Sequence, residues 1–331
     1  MIPLSPSDIE TFTRCPRLYQ LRCIRRLRAP GFSVPLVLGS AVDAALERLR
    51  RSEGDVRKAA YDVINKALAF TLPTREQQAK ADKAKWTALP MITAYIGRWL
   101  AEPLHTTDNQ LRMEGPLVNP ATKRPCRIAS IRGIADAAIP LPGGWHLYEL
   151  KTTSADISDN DTTATTIARL ESMRQSIQVP LYQELYRLTH GHKAPCIVDI
   201  IKKPVLKRRE GKKPAEPELD AAPKGHEETL RQWSKRCFDE YVADPNRYFA
   251  REVQPYDEAR IHRAVNIARD VARRIHRYSK EGHFPACRSE SLCQTAYGPC
   301  SMKAACWRGD ESALVTAADR YDVVNNETEA A

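Results

Sequence analysis

Residues 131–153, IRGIADAAIPLPGGWHLYELKTT, constrain this 331-residue chain more than any other stretch. Two strand-forming arms, Ile131 to Pro140 and Trp145 to Thr152, flank Leu141-Pro142-Gly143-Gly144, and that pattern specifies a β-hairpin. Side chains alternate along a strand, so Glu149 and Lys151 share one face while Leu150 points to the other. If Pro142-Gly143 forms the turn, Asp136 lies opposite Glu149; if Gly143-Gly144 turns, it lies opposite Lys151. Either register gathers two carboxylates and an ammonium on one face, within cross-strand reach.

Two carboxylates on adjacent strands repel, so the grouping needs a compensating charge. A hard divalent cation such as Mg²⁺ or Mn²⁺ provides one, and can then position water and polarise a phosphoryl oxygen. A lysine beside it stabilises charge developing on phosphorus. A salt-bridge ladder on a solvated sheet face is the alternative. The hairpin alone leaves both open.

The net charge of +10 points to an anionic partner, nucleic acid being the commonest. No apolar run reaches the length of a membrane span, and MIPLSPSDIETF lacks the basic and apolar regions of a signal peptide, so a cytoplasmic location is expected. Ser5 or Ser7 can cap a first helix, with Ser7 and Glu10 at capping-box spacing; Ile9, Phe12, Cys15, Leu18 and Tyr19 form its apolar face. Further helices are expected at about Gly39–Arg51, Asp55–Phe70, Arg75–Leu100, Ile167–Thr189, Glu228–Val242 and Asp257–Tyr278. Strand character begins near Leu111, returns at Cys126–Ile131 and recurs at Pro195–Ile201. SADISDNDTTATT reads as a mobile loop, and Gly309–Ala331 as an acidic tail. Helices followed by a short sheet interleaved with helices make an α/β chain.

Nine cysteines in a reducing compartment point to metal before disulfides. Cys287, Cys293, Cys300 and Cys306 fall within twenty residues of irregular sequence, without the paired CxxC knuckles of a zinc ribbon. Such spacings fit an iron–sulfur cluster at least as well; free thiols are the plain alternative. Cys23, Cys126, Cys196 and Cys237 stand singly and read as ordinary, and Cys15 is ambiguous on local grounds.

Five stretches, taken in order, resemble the RecB-like branch of the PD-(D/E)XK nucleases. More narrowly, they are similar to its iron–sulfur members, which include CRISPR-associated and AddB-type exonucleases and phage relatives. They are SPSDIETFTRCPRLYQ at Ser5–Gln20, LGSAVDAAL at Leu38–Leu46, GIADAAI with YELKTT, QVPLY at Gln178–Tyr182, and CQTAYGPCSMKAAC at Cys293–Cys306. The resemblance implies a restriction-endonuclease-like core, a mixed sheet flanked by helices, within a single domain over residues 1–308. Residues 1–110 would form its helical part, 111–203 the catalytic sheet and Q-x₃-Y helix, 204–280 a basic loop and helices, and 281–308 the cluster loop. Residues 309–331 would be tail.

It further implies that Asp136, Glu149 and Lys151 are catalytic, joined by Gln178 and Tyr182. Asp43, Asp136, Glu149 and the Leu150 carbonyl would hold Mg²⁺ or Mn²⁺. Cys15, Cys293, Cys300 and Cys306 would hold a structural [4Fe-4S] cluster, and Lys202, Lys203 and Lys207 would contact phosphates. Relatives usually carry histidine where this chain has Asp43; a carboxylate also ligates these cations, although Asp43 could instead be an exposed helix residue. Cys287 lies outside the match, as a spare thiol or a substitute ligand. His105, His146, His190 and His192 match no role. The implied reaction is hydrolysis of single-stranded DNA or DNA ends without sequence preference. The rivals are a non-catalytic DNA-binding or recombination accessory protein on the same fold, and a nuclease with zinc at the cysteines.

Overall fold

The computed structural model describes residues 1–29, 34–51, 56–67, 74–99, 108–154, 157, 176–287, 289–295 and 298–316. Most of the expected mobile loop, residues 167–175 of the Ile167–Thr189 helix and most of the expected tail lie outside these residues.

The sheet carries the site. Its strands are β1 (Ile2–Leu4), β3 (Asp108–Val118), β4 (Pro125–Leu141), β5 (Gly144–Thr153), β6 (Cys196–Lys202) and β7 (Phe249–Gln254), while β2 (Leu27–Arg28) lies apart from it. β3 runs antiparallel along the length of β4, β5 and β6 pair in parallel, and β6 and β7 pair antiparallel. The mixed sheet agrees with the expected α/β class.

The hairpin turns at Pro142-Gly143, because Leu141 pairs with Gly144 and Ala137 with Tyr148. Pro142 sets the first central position and Gly143, at φ 99°, the second, where a side chain is disfavoured. Continued by one step, this register sets Asp136 opposite Glu149.

The other edge partner of β4 went unread in the sequence. β1, only three residues long, pairs in parallel with Ala129–Ile131. Because β3 occupies one edge of β4 throughout, β1 and β5 must share the other. Between them, among the described residues, no strand pairs with 132–136 on that edge. The sheet forks there.

Helices α1 (Pro6–Arg14) and α2 (Pro16–Tyr19) follow β1, and α3 (Val34–Arg51), α4 (Val56–Ala67) and α5 (Arg75–Trp99) precede β3. α6 (Gln178–His190) lies before β6, α7 (Leu230–Ala243) before β7, and α8 (Glu258–Glu281) after it. The capping box is Ser5 with Asp8, and not Ser7 with Glu10: Asp8 N–H donates to Ser5 Oγ at 3.1 Å and Ser5 N–H to Asp8 Oδ2 at 2.9 Å. The helix read through to Tyr19 breaks at Cys15, which is extended (φ −162°, ψ 112°). Pro16 is the cause, since the residue before a proline is pushed out of the helical region.

Strand alternation divides two apolar cores. Cys196, Val198 and Ile200 of β6 pack with α1, α6 and α8, whereas Ile197 and Ile201 pack with α3, α5 and α7. The second layer also buries Asp199. Its carboxylate takes a two-pronged contact from Arg251, 2.7 and 2.9 Å, and hydrogen bonds from Tyr95 and Tyr148 at 2.5 and 3.0 Å. That charge is fully partnered and serves packing. No helix among the described residues is long and apolar enough to cross a membrane.

Candidate active site

At the fork the β4–β5 ladder ends, and the next β5 donor finds a side chain in place of a carbonyl. Leu150 N–H donates to Asp136 Oδ2 at 2.7 Å. Glu149, 2% exposed, projects toward α6. Its Oε1 accepts from Gln178 Nε2 at 2.7 Å and from Lys151 Nζ at 3.4 Å. Lys151 Nζ also donates to Gln178 Oε1 at 2.7 Å, and Gln178 Nε2 to the Tyr182 hydroxyl at 3.1 Å. The structure thus brings Asp136, Glu149, Lys151, Gln178 and Tyr182 into one cluster, with Gln178 bridging the carboxylate and the ammonium.

The electrostatics are those of an unneutralised site. Burial first, then the Asp136 and Asp43 charges, raise the Glu149 carboxyl to about 8 against the pull of Lys151. Burial lowers the Lys151 ammonium, but Glu149 and Asp136 outweigh it and the net direction is upward. Lys151 therefore keeps its proton at neutral pH. Glu149 Oε2 is buried and accepts no hydrogen bond among the described residues. Asp43 reaches this field from α3, which meets β5 where a Cβ on Gly39 would stand 3.7 Å from Thr152 Oγ1. Gly39 and Asp43, four apart, lie on the same helical face.

Two positioning residues escaped the sequence reading. A Cβ on Gly133 would lie 2.5 and 2.8 Å from the Tyr182 ring, so only glycine lets α6 approach β4 this closely. Gln183, 1% exposed, donates to the carbonyls of Ala194, Gln254 and Pro255, each at 3.2 Å, and fixes α6 along its axis. The GIADAAI glycine was visible as a letter; its contact spans two distant elements and was not.

The basic strand end is divided. Lys202 is 2% exposed, with its ammonium 5.4 Å from the Tyr248 ring centre, so it does not lie on the surface expected of a phosphate contact. Lys203 is partly buried, which lowers its ammonium, and Lys207 is exposed.

Cys15, Cys287, Cys293, Cys300 and Cys306 line one small cavity with Leu18, Leu21 and Met302. Cys287 N–H donates to Cys15 Sγ at 3.5 Å, and Cys293 Sγ to the Cys287 carbonyl at 3.3 Å. Burial raises the Cys306 thiol, helped by Cys15, Cys293 and Cys300. Among the described residues, no three His, Cys, Asp or Glu side chains stand in a ready-made metal cage, at the carboxylates or here.

A model of the PD-(D/E)XK nuclease superfamily matches residues 3–307. A crystal structure from Eubacterium rectale, described as a "Putative exonuclease", is similar at 15% identity, with 92% of each chain covered and a TM-score of 0.47. No curated protein matches the chain.

Proposed function

The chain belongs to the PD-(D/E)XK nuclease superfamily, and we propose that residues 1–308 form one deoxyribonuclease domain that uses Mg²⁺ or Mn²⁺. In this reading it acts as an exonuclease on single-stranded DNA or DNA ends. The observation that carries it is the Glu149 carboxylate: buried, raised by burial and by neighbouring carboxylates, and with Oε2 lacking a hydrogen-bond partner among the described residues. A cation at Oε2 removes each of these penalties at once, so the residues present fit a divalent ion. Asp136, Asp43 and the Leu150 carbonyl complete its proposed ligands.

When bound, such an ion polarises the phosphoryl oxygen and acidifies water. The side chains do the rest. Lys151, held charged by Glu149 and Asp136, donates toward the charge that builds on phosphorus. Gln178 fixes the Lys151 ammonium and the Glu149 carboxylate relative to each other, and Tyr182 holds Gln178.

The cysteine cavity supports a structural [4Fe-4S] cluster on Cys15, Cys293, Cys300 and Cys306. Four thiols from the two ends of the sequence share one apolar pocket, and a cluster there would tie α2 to the C-terminal loop.

The test of the catalytic assignment is Lys151→Ala on 5′-labelled linear and circular single-stranded DNA with Mn²⁺. Wild type should degrade the linear strand and spare the circle, while the variant binds DNA but loses at least a hundredfold in rate. Cleavage at the wild-type rate would overturn the assignment.

A further inference from the structure

Beside the fork lies a groove of about 530 Å³ that extends away from the catalytic cluster. Gln178 and Tyr182 form the end nearest the carboxylates, and Arg22, Arg26, Arg28 and Arg132 line the remainder. Four arginines face two carboxylates in its lining, an excess of positive charge. Asp8 is committed to the capping box, receiving Ser5 N–H and Ser5 Oγ at 2.9 and 2.7 Å, and Glu10 accepts from the Ser176 hydroxyl at 3.3 Å. Arg22 makes no ion pair among the described residues.

The backbone around these arginines is also unusual. Arg22 sits in a π-helical turn, Gln20–Ile24, that follows α2 directly. Arg26 is exposed and takes φ 55°, a left-handed conformation that glycine or asparagine adopts more easily. Arg26 thus holds a strained backbone conformation while lining the groove. The aromatic rings here, Tyr19 and Tyr182, are 4% and 7% exposed, so they offer no platform for stacking bases. What the groove offers a ligand is guanidinium, which pairs with phosphate.

We propose that this groove is the track on which a single strand of nucleic acid is held by its phosphates as it enters the carboxylate site. The inference rests on the nuclease reading for its direction, since the groove opens on Gln178 and Tyr182. Its volume lies within the range of pockets that enclose one small ligand, which admits a short stretch of single strand.

The test is binding in EDTA, so that it stands apart from cleavage. A fluorescent oligothymidylate is titrated against wild type, Arg22→Gln, Arg26→Gly and, as a charge-matched control on α8, Arg273→Gln. The two groove variants should each lose about tenfold in affinity, and each should flatten the dependence of log K on log salt by about 0.7, the share of one phosphate contact on a single strand. The control should match wild type, and a blunt duplex of equal length should compete poorly. Arg26→Gly also separates ligand contact from folding: its thermal midpoint should hold or rise while affinity falls. Groove variants indistinguishable from Arg273→Gln, or a duplex that competes as well as the single strand, would overturn the proposal. If wild type binds through these arginines yet cleaves nothing with Mn²⁺, the nuclease reading fails and the groove stands.

Discussion

Glu149 makes the metal-free protein sensitive to pH in a direction opposite to that of most carboxylates. Its carboxyl titrates near 4.5 in the unfolded chain and at about 8 in the folded one. Between those values the folded state binds the extra proton, so the contribution of Glu149 to stability is greatest below pH 4.5 and is lost as pH rises through 8. The shift, at 1.36 kcal/mol per unit, corresponds to about 5 kcal/mol between the two plateaus. Glu149→Gln keeps the shape, still accepts from Gln178 and cannot ionise. In EDTA, wild type should therefore lose thermal stability relative to the variant between pH 5 and pH 9, by on the order of 10 °C. Mn²⁺ at pH 8 should return much of that loss to wild type and little to the variant, because binding N in preference to U stabilises N. Scanning fluorimetry across pH, with and without Mn²⁺, measures both. Parallel wild-type and variant curves in EDTA would refute the claim that burial, only partly offset by Lys151, raises this carboxyl.

Gly133→Ala should cost about 1–3 kcal/mol in urea unfolding, because its methyl group displaces the Tyr182 ring; an unchanged midpoint would show that α6 can retreat freely. Asp43→Asn should weaken Mn²⁺ binding about tenfold by calorimetry, and equal affinity would remove Asp43 from the proposed ligands. Anaerobically purified wild type should carry the visible absorption of a cluster, Cys15→Ser should lose it and Cys287→Ser should keep it; the reverse pattern would exchange the two residues as ligands.

Much of the site was legible because its residues are close in sequence or periodic. Asp136, Glu149 and Lys151 sit on one hairpin, and its two candidate registers differed only in which residue faced Asp136. Gln178 and Tyr182, four apart, had to share a helical face. The failures have physical causes. Pro16 interrupts an apolar stripe whose periodicity continues past it, so the helix looked longer than it is. Lys202 lay in a basic run and read as surface, but β6 carries it into the interior beside Tyr248. β1 is too short for any periodic signal. Gly133 and Gln183 act through contacts between elements far apart in sequence, which no local pattern encodes.

β1 matters most among these, because the fork depends on it. If β5 alone had paired with this edge of β4 throughout, Leu150 N–H would meet a carbonyl, and Asp136 would be a residue of a continuous ladder. With β1 filling the early half of the edge and β5 the late half, 132–136 is left between two diverging strands. Asp136 then supplies the missing acceptor from its side chain. The same divergence makes room for Gln178 to reach Glu149 and Lys151, and opens the groove lined by Ile2 and Pro3 of β1 and by Arg132 of β4. Carboxylates and arginines thus meet at one place for one reason: three residues at the start of the chain end their pairing at Leu4, before β5 begins. Shortening or lengthening β1 should therefore alter the carboxylate cluster and the groove together, whereas substitutions at Arg22 or Arg26 should touch the groove alone.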